Sequence, residues 1–148
     1  MTNNAPDYED NLAFEPVKTA GTIEMVTKDG KAVAIRCYID NQHYFDLALY
    51  DVPETMDWHD AKCWCEKNYC RLPMKHEWEF VIANIKRINK MLEKVGGEPL
   101  KKSWYWSSSE YDNLYAWYSS FYNSYGLDWY GKNASNQYVR PAPLLERE

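Results

Sequence analysis

The spacing of apolar residues changes twice along this chain, and that constrains the fold more than any other feature. From Thr22 to about Tyr50 the pattern suits strands, from Asp57 to about Val95 apolar residues recur every three or four positions, and after Pro99 a period of two returns. Strands, then helices, then strands again make an α+β domain. At 148 residues the chain suits one domain with a respectable single core that needs no disulfide or metal.

The first fifteen or so residues are polar and acidic, and the sequence predicts a flexible arm over 1–20 followed by one domain over 21–148. Ile23, Met25, Ala32 and Ala34 flank Lys28, Asp29, Gly30 and Lys31, a hairpin signal because Asp-Gly supplies positive φ. Further strands are expected over Ile35 to Ile39 and Tyr44 to Tyr50. Asp57 caps a helix that carries Trp58, Ala61 and Cys65 on one face and ends near Asn68. Trp78, Val81, Ile82, Ile85, Ile88 and Leu92 predict one longer helix from about Lys75 to Val95, stopped by Gly96 and Gly97. In Ala116 to Tyr122, Trp117, Ser119 and Phe121 should pack while Tyr118, Ser120 and Tyr122 face out. A last strand, Tyr138 to Leu144, is confined to an edge by Pro141 and Pro143.

Charge and composition narrow the partners. A net charge of -5 and no Lys/Arg cluster beyond Lys101 and Lys102 argue against nucleic acid. No stretch approaches a membrane span, and the first residues lack a secretion signal, so the expectation is no membrane insertion and a soluble, unprocessed, cytoplasmic chain until it is assembled or displayed on a virion or cell surface. Cys37, Cys63, Cys65 and Cys70 are expected to be reduced, buried thiols. Zinc at Cys63, Cys65, Cys70 and His59 is disfavoured, because residues two apart on a helix point to nearly opposite sides. No metal and no cofactor is expected.

Trp104 to Arg140 holds more than half of the aromatic residues, interleaved with Ser, Asn, Asp and Gly and with only Lys132 before the final Arg. Tyr and Trp offer stiff contact area at little entropic cost while Ser, Asn and Gly adapt their hydrogen bonds, the composition of antibody binding loops. A β-rich core also favours these rings.

Two blocks carry a family likeness. Trp58, His59, Asp60 and Ala61, then Trp64, Cys65, Arg71, Leu72, Pro73, Glu77, Trp78 and Glu79, resemble the helix pair of proteins related to formylglycine-generating enzymes, which have a C-type lectin fold. Tyr105, Trp106, Ser107, Ser108, Ser109 and Glu110, then Ala116, Trp117, Lys132, Val139, Arg140 and Pro141, are similar in order and spacing to the variable proteins of diversity-generating retroelements. Together the blocks span about residues 55–142. The resemblance implies two helices packed on a small antiparallel sheet, with a long irregular C-terminal binding segment and a variable region over about 105–138. It also implies that error-prone copying at template adenines diversifies that surface. Asn codons altered only at their two adenines never yield Trp, Lys, Glu, Gln or Met, and between Tyr111 and Asn136 the residues so excluded are Trp117, Trp129 and Lys132.

A fixed framework must then hold the fold whatever the exposed set becomes. Trp104, Trp106, Trp117 and Phe121 are its candidates, with Glu110 and Arg140 as a pair that could tie strand ends together. The expected ligand-binding set is Asp112, Asn113, Leu114, Tyr115, Tyr118, Ser120, Tyr122, Asn123, Ser124, Tyr125, Leu127, Asp128, Tyr130, Asn133 and Ser135, facing a protein or glycan. The chain departs from the likeness at Met74, where relatives commonly place Thr, so part of a capping box is lost. The calcium-binding signatures of true lectins are absent. No cysteine follows Cys70, which excludes the copper chemistry of the enzyme relatives, and the chain is read as no enzyme. A hydrolase built on Glu110 with Asp112 or Asp128 is the catalytic alternative. A fixed-specificity lectin-like or adhesin domain of a phage or bacterial surface is the other.

Overall fold

The computed structural model describes residues 18–134 and 136–145. Most of the expected N-terminal arm lies outside the described residues; its last part is represented by Lys18, whose ammonium lies 3.1 Å from Glu24. Among the described residues the architecture is mixed α+β, with three helices and three small antiparallel sheets.

The first sheet is a meander. Strand β1 (Ile23–Lys28) pairs with β2 (Lys31–Tyr38), which pairs with β3 (Tyr44–Ala48). The expected Asp-Gly reversal is present, with Asp29 at φ 53 and Gly30 at φ 78, the left-handed geometry of a tight hairpin. Arg36 and Asp46 face each other across β2 and β3 and bond bidentately at 2.8 and 2.9 Å. Helix α1 (Trp58–Lys67) starts at Asp57, whose carboxylate accepts from the Asp60 amide, and ends at Asn68. Its buried stripe is Trp58, Ala61 and Cys65. A short strand β4 (Cys70–Arg71) follows and later pairs with β8 (Ala142–Pro143). Only these two residues of the expected final strand form a ladder; Gln137 and Tyr138 make isolated bridges to Met56 and Tyr105.

The single long helix expected from Lys75 to Val95 is two. Helix α2 (Lys75–Ala83) and helix α3 (Ile85–Lys94) meet at Asn84, whose backbone leaves helical geometry at φ -122 and ψ 25. The Asn84 side chain donates to the Phe80 carbonyl and accepts from Arg87, so a polar side chain satisfies groups at the break. Apolar spacing runs through this junction undisturbed, which is why periodicity missed it. Gly96, at φ 88, ends α3 as expected.

The last sheet is built from β5 (Trp104–Glu110), β6 (Tyr115–Ser120) and β7 (Gly126–Gly131), in that order. The segment expected to be irregular is thus mostly ladder. One core cluster joins Ile35, Phe45 and Leu47 of the first sheet to Trp78, Val81, Ile88 and Leu92 of α2 and α3, and to Tyr105 and Phe121. A second joins Trp58, Ala61 and Cys65 of α1 to Trp106, Ala116 and Val139. The last sheet therefore meets helices on both faces, α2 on one and α1 on part of the other. Cys37, Cys65 and Cys70 are buried free thiols; Cys63 is exposed, against expectation, because it lies off the stripe that α1 turns inward. No helix among the described residues is long and apolar enough to cross a membrane.

Candidate functional site

Two helix tryptophans fix the strand that carries the surface. Trp58 donates from its indole to the Ser107 carbonyl at 2.8 Å, and Trp78 to the Trp106 carbonyl at 3.2 Å. Trp106 in turn donates to the Met56 carbonyl at 2.9 Å. Between Trp106 and Glu110 the ladder with β6 is interrupted by a bulge. Buried Ser107 fills that gap, its hydroxyl donating to the Trp117 carbonyl at 2.7 Å and accepting from the Ser109 amide at 3.1 Å. Ser109 accepts from the Lys75 amide at 2.9 Å. The missing Thr before α2 is thus partly replaced from a distant strand, while Glu77 still accepts from the Met74 amide at 2.8 Å. Glu77 is itself buried and bidentate with Arg71, at 2.7 and 2.8 Å.

The expected pairing of Glu110 with Arg140 does not occur. Arg140 is fully buried and bonds Asp51 at 2.7 Å, with the Ala48 and Pro99 carbonyls as further acceptors. Asp51 also accepts from Lys101 at 2.7 Å and from the Tyr105 hydroxyl at 3.0 Å. Burial, with Asp51 nearby, pushes the Tyr105 phenol upward. Glu110 pairs instead with Lys132 at 2.6 Å. Lys132 is 4 % exposed, donates also to the Asn113 carbonyl at 3.0 Å, and sits 4.6 Å from the Trp58 ring centroid. Its hydrogen bond holds the Glu110 carboxyl below the usual glutamate range. Sequence patterning could not pair these charges, because a bulge and a crossing chain decide which side chains meet.

The candidate contact residues fall on two turns and the strands between them. Asp112, Asn113, Leu114 and Tyr115 form the first turn and the start of β6; Tyr122, Asn123, Ser124 and Tyr125 form the second turn; all are exposed. Asp128, Tyr130 and Asn133 are exposed in and after β7, and Tyr118, Ser120 and Leu127 are partly buried. Ser135 lies outside the described residues. These side chains do not share one face. Register places Tyr115 and Leu127 with Trp117 and Trp129 on one side, and Tyr118, Ser120, Asp128 and Tyr130 with Trp104 and Trp106 on the other. The expected division of Ala116 to Tyr122 into a packing and a presenting face holds at Ser119 and Phe121, which are buried, and at Tyr122, which is exposed, but is blurred at Trp117, Tyr118 and Ser120, all partly buried. Ala116 is buried on the Tyr118 side, because α1 covers that end of the sheet.

Three exposed aromatic residues of the last sheet and its turns lie outside the expected set. Trp104, expected in the framework, is 42 % exposed and meets Tyr118 and Tyr122 edge-on at 5.9 and 6.3 Å. It lies at the start of β5, beyond the reach of the helices. Tyr111 and Trp129 stack at 4.4 Å with their planes 2° apart, and Trp117 meets both rings edge-on at 5.9 and 5.2 Å. The Lys75 ammonium lies 3.9 Å from the Trp117 centroid. The pairing of Trp117 with Trp129 was readable from alternation once a hairpin between them is drawn.

Two contact candidates also serve the fold. Asp112 accepts from the amides of Leu114 and Tyr115 at 2.8 and 2.9 Å, closing its own turn. Asp128 accepts from the Trp129 amide at 2.8 Å. Glu110 is drawn down by Lys132, and Asp112 and Asp128 are each bonded to backbone amides. Two open grooves of about 420 Å³ each lie away from this surface, one lined by residues such as Ala32, Tyr50 and Trp64, the other by Glu54, Asp60 and Cys63. No protein-family model matches this chain, and no curated protein is significantly similar to it.

Proposed function

We propose that this domain is a ligand-binding module whose last sheet and its turns recognise varied protein or glycan targets, diversified by retroelement mutagenesis in the manner the resemblance implies. One observation carries the reading: none of the described candidate contact residues is buried, whereas Trp106, Phe121, Lys132 and Arg140 beside them are. A surface that accepts substitution while a buried set stays constant is the physical requirement for such a module. Backbone atoms of Asn113 and Leu114 anchor the first turn beside the Asp112 carboxylate: Lys132 bonds the Asn113 carbonyl, and its amide bonds the Leu114 carbonyl. Those contacts survive any side chain at 113 or 114.

The deciding experiment is sequencing the genomic flank. A near-copy of the 3′ coding region that differs at template adenines, beside a reverse transcriptase gene, is expected; a complete neighbourhood lacking both overturns diversification. A second reading, a module with one fixed ligand, is favoured by the exposure of Trp104 and Trp129. Trp129, 41 % exposed, cannot arise from an Asn codon by adenine changes, so it is a constant contact group.

A further inference from the structure

The last sheet ends on an open edge. Strand β7 pairs with β6 on one side, and among the described residues no strand pairs with its other side. Two bonds fix which groups point outward. The Trp129 amide donates to the Asp128 carboxylate, and the Lys132 amide donates back to the Leu114 carbonyl beyond β6. By the alternation of an antiparallel ladder, Leu127 and Trp129 direct their backbone groups away from β6, while Asp128 and Tyr130 bond to it. Such an edge is a template for another strand.

Asp128 stands at the centre of that edge. Among the described residues it makes no ion pair, and its side shares Tyr118 and Tyr130; burial, followed by the nearby Asp128 carboxylate, raises the Tyr118 phenol. Lys75 belongs to the opposite side, with Trp117. A strand docked antiparallel through Leu127 and Trp129 places its own residue opposite Asp128 in a non-hydrogen-bonded pair, where facing Cα atoms come within about 4.5 Å. The sign of that residue's charge then decides the pairing. Two copies of this chain joined about a two-fold axis at this point would set Asp128 against Asp128, a like-charge cross-strand pair that destabilises.

We propose that the outer edge of β7 docks an extended segment of a partner protein as a fourth strand, with an Arg or Lys of that segment against Asp128. The Asp128 carboxylate guards the edge in the free protein by occupying the Trp129 amide. A basic side chain draws it away and frees that amide for the incoming carbonyl. Backbone pairing supplies general affinity, and the acidic and aromatic setting selects the cation. This inference does not depend on diversification, which is judged on DNA.

The probe is a fluorescein-labelled heptapeptide of alternating Thr and Val with Arg at its centre, titrated into the full chain and followed by anisotropy. Saturable binding is expected, with slowed exchange of the Leu127 and Trp129 amides. A Glu-centred version should not bind, and N-methylation of the peptide backbone at its pairing amides should abolish binding. Asp128→Asn keeps an acceptor for the Trp129 amide, so it should fold; it should weaken the Arg-centred probe about tenfold and leave a Gln-centred probe unchanged. Equal binding of Arg- and Glu-centred peptides, no binding of any, or an unchanged Asp128→Asn would overturn the proposal. So would sedimentation showing that the chain itself pairs through this edge.

Discussion

Lys132 shows how much a single buried charge organises here. Its ammonium has an acidic partner, a carbonyl partner and an aromatic face, so it is satisfied on three sides although almost no water reaches it. Replacement by Met leaves the Asn113 carbonyl and Glu110 without that donor; a loss of about 1–3 kcal/mol in urea unfolding is expected, with faster amide exchange across 111–115. Glu110 gives the pH signature. Its folded value is depressed, so its contribution is complete above the unfolded value of about 4.3 and disappears as pH falls through the lower folded one. The stability difference between the native chain and Glu110→Gln should therefore be constant near neutrality and shrink as pH falls below about 4.3; a difference that stays constant on acidification would refute the link. Exposure divides the aromatic residues in the same way. Replacing Tyr122 and Tyr130, about half exposed, by Ala should cost under about 1 kcal/mol in total, whereas Trp106→Ala should cost about 3–5 kcal/mol.

The two turns around β6 are built on different rules. In the first, Asp112 closes the turn with its own side chain while Asn113 and Leu114 contribute backbone alone. Asp112→Ala is expected to cost about 0.5–2 kcal/mol, as loss of a capping carboxylate does, and changes at 113 or 114 less than about 0.5 kcal/mol. Thermal melts of these variants check the ranking. The second turn holds Asn123 at φ 42, a left-handed conformation that Asn tolerates and a β-branched residue does not. Asn123→Gly should be near neutral and Asn123→Val should cost about 1–2 kcal/mol in the same assay. A surface free to vary at every exposed position would show neither preference.

At the scale of the molecule, the buried Arg140 is a tie between parts distant in sequence. Through Asp51, Ala48 and Pro99 it joins the end of the first sheet, the segment after α3 and the chain that follows β7. Lys101 and the Tyr105 hydroxyl complete the charge and hydrogen bonding of Asp51. Arg140→Met removes one of the two cations paired with Asp51 and the donors to the Ala48 and Pro99 carbonyls, and a loss of about 1–3 kcal/mol spread over one cooperative transition is expected; separate melting of the first and last sheets would show that the tie is not shared. Sandwiching by α1 and α2 makes the last sheet rigid at its centre, so exposed rings are presented from a fixed base with little ordering entropy left to lose on binding.

How much of this was legible in the chain differs by range. The hairpin at Asp29 and Gly30, α1 between Asp57 and Asn68, and the stop at Gly96 were readable because each rests on neighbours within a few residues, where local geometry and capping decide. Exposure of the two turns was readable for the same reason, since Asp112, Asn113, Asn123 and Ser124 between strands cannot be buried cheaply. The break at Asn84, the exposure of Trp104, the partners of Glu110 and Arg140, and the division of contact residues between two faces were not. Those depend on which helix covers which part of a sheet and on the bulge in β5, which sets four residue steps against two in β6. Such facts come from contacts tens of residues apart, which periodicity does not encode and only the packed tertiary structure decides.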